Sequence, residues 1–162
     1  MTPEQAIDAL KSLIEPGRAP GMAAYHKQTR DVLGISNPAM NDLAKTWRQT
    51  LPVTERVILA DALWQTDIFE ARIIAAKLLT QARIRPDEAV WSLIQSWVPE
   101  FDSWAIADHV CGAGEKRVVT DFARLDQVES WTTSDHMWTR RAALVITLPF
   151  TKSRNAKPDE LH

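Results

Sequence analysis

The chain has 162 residues, of which 45% are hydrophobic and 25% charged, a composition typical of one soluble globular domain. Its formal net charge of −2 argues against a uniformly basic surface that coats nucleic acid. The single cysteine, Cys111, excludes a disulfide framework, and the N-terminus has no apolar run long enough for a signal or membrane segment, so we expect a cytoplasmic protein.

Residues 1–50 show no internal repeat. A first helix ends near Ile14, a stretch rich in Pro and Gly follows it, and Ser36 or Asn37 can cap a helix that reaches Trp47. We interpret these residues as an irregular helical N-terminal cap, because the terminal units of repeat proteins are often atypical.

The apolar periodicity of residues 51–85 predicts a helix pair. Thr54 is placed to cap its first helix, and Asp67 to cap its second, which is predicted over residues 68–81. Apolar residues cover most of the circumference of that second helix, so we expect it to be buried between neighbours.

Two further pairs are predicted in residues 86–114 and 115–150, and residues 151–162 are interpreted as a tail. Their helices, with the expected cap in parentheses where there is one, are predicted over residues 88–97 (Asp87), 101–111 (Asp102), part of 115–122, 125–131 and 137–148 (Asp135).

Aromatic residues recur through these pairs in two series, both with a period of about 34 residues. The series are Trp64, Trp97 and Trp131, and Phe69, Trp104 and Trp138. Residues 69–75 also superpose on residues 138–144 at an offset of two periods. The sequence therefore predicts an all-α fold, an α-solenoid in which the second helix of each pair lines one concave surface.

Trp104 and Asp108 are one helical turn apart and share a helix face. The simpler interpretation is a core tryptophan and a surface carboxylate that pairs with a nearby arginine. One period earlier, however, Ile73 follows Phe69 at the position of Asp108. A carboxylate in place of an aliphatic residue on a buried or concave face is costly unless it is paired or functional.

Arg141 lies near the analogous place one period later. An ion pair with Asp108 or a bond to a helix carbonyl is the structural interpretation, which the equivalent residue Arg72 favours; a functional role is compatible with either. Arg140 points about 100° away around the helix and is expected to face solvent.

Positive charge is concentrated in residues 16–30 and 136–157, which contain no acidic residue and are candidates for an anion-facing surface. Ordinary clustering of surface charge is the alternative. The basic residues are Arg18, Lys27 and Arg30 in the first stretch, and Arg140, Arg141, Lys152, Arg154 and Lys157 in the second.

Other chemistry has weaker support. The four histidines lack metal-ligand spacing, and the sequence has no glycine-rich phosphate loop, HExxH motif or Ser/His/Asp order, so neither a metal nor a cofactor is expected. Cys111 is expected to be a small buried filler on an apolar helix.

Four segments in this order carry a family resemblance: GMAAYHK at 21–27, LGISNP at 33–38, SWAIAD at 103–108 and SDHMWTRRAA at 134–143. Together they resemble the AlkD-like DNA alkylation repair proteins, which are HEAT-like helical repeat proteins that act as DNA glycosylases on N3- and N7-alkylated purines. The resemblance runs from about residue 5 to residue 150.

The resemblance implies that Trp104, Asp108 and Arg141 form the catalytic site, and that Tyr25 lies near the DNA backbone. It also implies double-stranded DNA containing alkylated purines as the partner, without a base drawn into a pocket. With the charged stretches included, the predicted DNA-binding residues are Tyr25, Lys27, Arg140, Lys152 and Arg154.

The resemblance also suggests how these residues would act. A cationic alkylpurine is already a good leaving group, and positive charge moves onto the sugar as the bond breaks. Asp108 would stabilise that charge and orient water, Trp104 would offer a π face, and Arg141 would hold a phosphate.

AlkD-like proteins continue for several more helices that carry a further cleft tryptophan, whereas this sequence ends at His162. We therefore expect weakened DNA affinity, and self-association if the last helix presents an open apolar end. The alternative function is a non-catalytic HEAT-like module that binds DNA or a protein with the same concave face.

Overall fold

The computed structural model describes residues 1–152, and over that range the chain is all-helical, as predicted. Its α-helices are α1 (Pro3–Lys11), α2 (Ala19–Tyr25), α3 (Asn37–Thr50), α4 (Val53–Gln65), α5 (Phe69–Leu78), α6 (Glu88–Trp97), α7 (Trp104–Thr120), α8 (Leu125–Trp131) and α9 (Met137–Ile146). Short 3₁₀ helices cover Val98–Glu100, Phe122–Arg124 and Leu148–Thr151. Within these residues no helix is long and apolar enough to cross a membrane.

Side-chain caps define the starts of two N-terminal helices. Thr2 and Gln5 form a reciprocal capping box at the start of α1. Ser36 accepts a hydrogen bond from the backbone of Ala39 at 3.3 Å, which confirms Ser36 as the cap of α3. That helix continues past the predicted end at Trp47 to Thr50.

Four other predicted caps are wrong. Pro52, Ile68, Ser103 and His136 occupy the cap positions of α4, α5, α7 and α9 in place of Thr54, Asp67, Asp102 and Asp135. Asp87 does occupy the cap position of α6, at the predicted N-terminus, although its side chain makes no capping bond within the described residues. Asp67, Asp87 and Asp102 all pair with arginines instead, and a guanidinium is a stronger partner than a backbone N–H.

α7 is longer than predicted, and a separate helix within residues 115–122 is wrong. The helix runs unbroken across residues 114 and 115, where a repeat boundary was predicted, because its buried face continues through Val118. Gly114 lets α9 approach closely, since a Cβ there would lie only 2.5 Å from Ile146 Cδ1.

The core runs between successive helices. α5 packs against α3, α4 and α7, and α7 packs against α9. Nine of the ten residues of α5 are buried, which confirms the predicted central helix. Trp64 and Trp97 are buried and stack at 4.5 Å between ring centroids, whereas Trp131 is only half-buried and lies against Trp91.

Glu70 ties the segment before α3 to α5. Its buried carboxylate accepts hydrogen bonds from the backbone N–H groups of Leu33, Gly34 and Ile35 at 2.9, 2.7 and 3.1 Å. Gly34 has a φ of +91°, and a Cβ there would lie 2.8 Å from Ala19 N. A glycine in the left-handed region therefore allows the loop to reach both Glu70 and α2.

We expect Glu70→Gln to lower the free energy of unfolding by about 1.5–3 kcal/mol, because hydrogen bonds to a charged acceptor are lost in a buried site. Urea denaturation measures this change. Glu55→Gln is the matched control, since Glu55 is exposed in the first turn of α4. Equal stability of the two variants would contradict the role given to Glu70.

A buried ion-pair network joins α6, α7 and α8. Asp87 Oδ2 accepts from Arg117 Nη1 at 2.7 Å and from Arg124 Nη1 at 2.8 Å, and Asp87 Oδ1 accepts from Arg124 Nη2 at 2.7 Å. Arg117 also donates to the carbonyls of Gln81 and Ala82. The network therefore fixes the C-terminal half of α7, whose N-terminal half carries Trp104 and Asp108.

Candidate functional site

The structure brings the three predicted catalytic residues together. Trp104 is the first residue of α7, Asp108 follows one turn later, and Arg141 lies on α9. Arg141 Nη1 donates to Asp108 Oδ1 at 2.7 Å, and the two side chains are 32% and 42% exposed. The interpretation of Arg141 as an ion-pair partner of Asp108 is therefore confirmed.

Trp138 supports the guanidinium of Arg141. The Cζ atom of Arg141 lies 5.5 Å from the Trp138 ring centroid, a cation–π distance. Arg72, the equivalent residue two periods earlier, sits over Trp64 at 4.4 Å and pairs with Asp67. The two arginines thus share a pattern of one aromatic ring and one carboxylate, but only Arg141 is substantially exposed.

Asp108 keeps one oxygen available. Within residues 1–152 its Oδ2 atom has no hydrogen-bond partner in the protein, whereas Oδ1 is held by Arg141.

Cys111, almost one turn further along α7, is buried, and burial raises the pKa of its thiol to about 12. It is therefore a neutral filler at neutral pH, as predicted.

An aromatic cluster lies beside this ion pair and consists of Tyr25, His26, Phe69 and Trp104. His26 lies between Phe69 and Trp104, with ring centroids 4.9 and 5.0 Å away. Tyr25 meets the edge of Trp104 at 5.9 Å. Tyr25 is 71% exposed and Trp104 42% exposed, so two aromatic rings reach the surface, one of them a helical turn from Asp108.

The aromatic cluster forms one wall of a cavity of about 500 Å³ between α2, α3, α5 and α7. Asp108 and Arg141 do not line it. The remaining lining is mostly apolar and includes Met22, Met40 and Ile73, with Asn37 and His109 as polar groups.

Burial lowers the pKa of both histidines at this cavity, His26 and His109, so both are neutral at neutral pH. His109 Nδ1 lies 2.7 Å from the carbonyl oxygen of Ala105 and donates to it. His26 Nδ1 is buried and has no hydrogen-bond partner among residues 1–152. Within the described part of the chain, no group of three or more His, Cys, Asp or Glu side chains is arranged to hold a metal ion.

A family model described as DNA alkylation repair enzyme matches residues 6–161 of this chain. The chain belongs to the DNA alkylation repair enzyme family. No curated protein and no solved structure matches the chain. The matched region includes every helix from α2 to α9, so Trp104, Asp108 and Arg141 all lie within it.

Membership in the DNA alkylation repair family implies a DNA substrate. The predicted DNA-binding residues differ in exposure and in their hydrogen-bond partners. Tyr25 and Lys27 are exposed at the end of α2, and Lys27 has a left-handed φ of 53°. Arg140 is exposed, as predicted, but its Nη1 donates to the carbonyls of Ser134 and Asp135. Lys152 is exposed after the last 3₁₀ helix, and Arg154 lies outside the described residues.

The N-terminal basic stretch of this repair protein is partly neutralised. Arg30 donates to Asp67 at 3.0 Å and to Asp102 at 2.6 Å and is almost buried, and Arg18 pairs with Glu15. Arg30 therefore holds the loop after α2 next to the start of α7 and is not open to an anion. Sequence analysis placed it among candidate anion-facing residues because its partners are distant in sequence.

His26 is the site residue to which sequence analysis gave no role. It contacts the other three members of the aromatic cluster. The signal in the repair-family segment GMAAYHK was its position directly after Tyr25. Metal-ligand spacing was the wrong criterion for a histidine that packs as an aromatic ring.

Proposed function

We propose that this protein is a DNA glycosylase that hydrolyses the N-glycosidic bond of cationic N3- or N7-alkylated purines in double-stranded DNA. The observation that carries this proposal is the half-buried, solvent-accessible Asp108–Arg141 pair next to Trp104 on the same helix. These residues combine a carboxylate, a fixed cation and a π face, and the family repairs alkylated DNA.

The reaction requires charge stabilisation at the sugar and no general acid. The alkylated base already carries positive charge and leaves with the bonding electron pair as a neutral purine, while positive charge develops on the deoxyribose. Asp108 Oδ2 would face that charge, and its negative charge would stabilise the transition state. The same carboxylate would orient the attacking water and accept its proton as the new C–O bond forms.

Arg141 would act through Asp108 and through the DNA backbone. Its bond to Oδ1 fixes the carboxylate, and a guanidinium that donates one N–H to Asp108 still has four N–H donors for a phosphate. Trp104 would contact the cationic lesion or sugar with its exposed face. Trp138 sets the position of Arg141 from below.

The position of Asp108 supports cleavage without a base pocket. Its carboxylate lies on the open face of α7 and α9 and does not line the cavity. A lesion that stayed in the duplex would therefore contact the Asp108 carboxylate directly. A base drawn into the cavity would not, because the carboxylate lies outside the cavity.

The helix arrangement supports a HEAT-like solenoid of about 34-residue units. Phe69 and Trp104 are the first residues of α5 and α7, and Trp138 is the second residue of α9. These helices pack in series, α5 against α7 and α7 against α9, and Asp108 on α7 pairs with Arg141 on α9. We propose one repeat domain over residues 1–162, with a cap (1–50), units at 51–85, 86–114 and 115–150, and a tail (151–162).

The test is release of 7-methylguanine or 3-methyladenine from alkylated duplex DNA, followed by chromatography of the free base. We expect release by the wild-type protein above the rate of spontaneous depurination. A rate equal to the spontaneous one would rule out the glycosylase and leave the alternative, a non-catalytic HEAT-like module on DNA or a protein.

DNA binding itself should depend on salt. If Arg141 holds one phosphate, log Kd should change with log salt concentration, and Arg141→Gln should reduce the slope by about one unit. Fluorescence anisotropy with a duplex at several salt concentrations measures this. Arg83→Gln, an exposed change of equal charge after α5, is the control. Affinity independent of salt would contradict phosphate contacts by Arg141 and Lys152.

Two further expectations stay predictions. A cytoplasmic location is proposed because the only thiol, Cys111, is a buried, unreactive group that needs no oxidising compartment. Self-association through the C-terminal end is proposed because Leu144 and Leu148 are strongly exposed there.

A further inference from the structure

The cavity beside Trp104 is not used by the proposed chemistry at Asp108. Its volume of about 500 Å³ lies within the range of small-molecule sites, which is about 300–1,000 Å³. Trp104 and Tyr25 form its exposed aromatic rim, and Asp108 lies one turn from Trp104 on the same helix. The rim of the cavity is therefore about one helical turn, or about 5.4 Å along the axis of α7, from the proposed catalytic carboxylate.

The lining of the cavity suits a flat aromatic ring. Rings of Phe69, His26 and Trp104 form one continuous wall, and the thioether residues Met22 and Met40 are also part of the lining. Sulphur and ring edges both contact aromatic faces favourably. An aromatic heterocycle would thus be held by its faces.

Hydrogen-bonding capacity inside the cavity is not used by the protein. Asn37 lines it at an exposed position, and its side-chain amide makes no hydrogen bond within residues 1–152. His109 also lines it and uses only Nδ1, which donates to the carbonyl oxygen of Ala105, so Nε2 remains an acceptor. A ligand with donors and acceptors around a flat ring would find both an amide and an imidazole nitrogen to bind.

The described lining of the cavity has no carboxylate to pair with a cation. Arg18, its one charged residue there, is already paired with Glu15. Both lining histidines are neutral, since burial lowers their pKa. An alkylpurine is a cation while it is joined to DNA and becomes neutral when the bond breaks, so a cavity without a carboxylate favours the neutral product.

We propose that this cavity is a product site, which binds the free neutral purine base after the N-glycosidic bond is cleaved. The inference rests on the proposed glycosylase activity for the origin of the base, but binding of the base does not require that activity. It also predicts that free base slows turnover, because a base in the cavity covers the face of Trp104.

The experiment measures binding of 7-methylguanine and 3-methyladenine to the full chain without DNA, by isothermal titration calorimetry. Gly21→Leu places a side chain at the cavity, where a Cβ at Gly21 meets no atom within 4 Å, and it keeps a helix-compatible residue in α2. Ala24→Leu, at an exposed position of the same helix that does not line the cavity, is the matched control. We expect Gly21→Leu to raise Kd about tenfold or more and Ala24→Leu to leave it unchanged.

A second measurement tests the role of charge. At mildly acidic pH, neutral 7-methylguanine should bind at least about tenfold more tightly than the cationic ring 7,9-dimethylguaninium, which is similar in size. Equal affinity for the two rings, no binding of either free base, or binding that Gly21→Leu does not weaken would each overturn the product site. A wild-type protein that binds free base but releases none from alkylated DNA would support the site and contradict the proposed glycosylase.

Discussion

Asp108→Asn is expected to lower the rate of alkylpurine release by about 10²–10³-fold, the range found when one preorganised charge-stabilising group is removed from an active site. The amide has nearly the same size and can still accept a hydrogen bond from Arg141. What it lacks is the negative charge that would face the sugar as positive charge develops there. Single-turnover release of 7-methylguanine measures the effect on the chemical step.

DNA affinity should not fall with the release rate in the Asp108→Asn variant. Asp108→Asn removes one negative charge from a phosphate-facing surface and weakens the hold on the Arg141 guanidinium, so binding should be unchanged or tighter. Loss of release together with retained affinity is the result that separates catalysis from binding. Asp42→Asn, on the exposed face of α3, controls for the change in net charge. A wild-type release rate in Asp108→Asn would remove this carboxylate from the mechanism.

The parts of the fold that were predictable from sequence depend on periodicity. Apolar spacing identified the central helix α5, and the aromatic series identified equivalent positions on α5, α7 and α9. The same local spacing placed Trp104 and Asp108 on one face, because one helical turn separates them whatever the tertiary structure is.

Long-range partners were not predictable in the same way. Asp67 and Asp102 look like helix caps when only neighbouring residues are considered, but Arg30 pairs with both. The close approach of α9 to Gly114 on α7 is another contact that no local pattern reports. At Asp67 and Asp102 a tertiary ion pair outweighs a local capping preference of about 1 kcal/mol.

The cavity and the position of His26 also depend on contacts between residues that are distant in sequence. His26 acquires its position from Phe69 on α5 and Trp104 on α7, which are far from it in sequence. A sequence pattern identifies the residues of an ion pair such as Asp108 and Arg141 through equivalent repeat positions. It does not show the space that remains where α2, α3, α5 and α7 meet.

The largest effect on stability is expected at Asp87, at the far end of α7 from the site. Asp87→Asn should lower the free energy of unfolding by about 3–5 kcal/mol, since it leaves two buried guanidinium groups without their carboxylate. Arg117 is fully buried and Arg124 nearly so, so water does not replace the lost charge. Urea denaturation at neutral pH measures the change, and Asp8→Asn on the exposed face of α1 is the control.

The pH dependence of the wild-type protein supplies an independent check. The hydrogen bonds from Arg124, and then the charges of both arginines, hold the pKa of Asp87 below its ordinary value. The stabilisation is therefore fully present above the unfolded-state pKa of about 3.9 and is lost as pH falls through the lower folded-state value. Asp87→Asn has no carboxylate at this position to protonate. The difference in free energy of unfolding between wild type and variant should therefore become smaller in acid. A gap that stays constant down to the acid transition, or a variant within about 0.5 kcal/mol of wild type at neutral pH, would show that the network does not hold α7 in place.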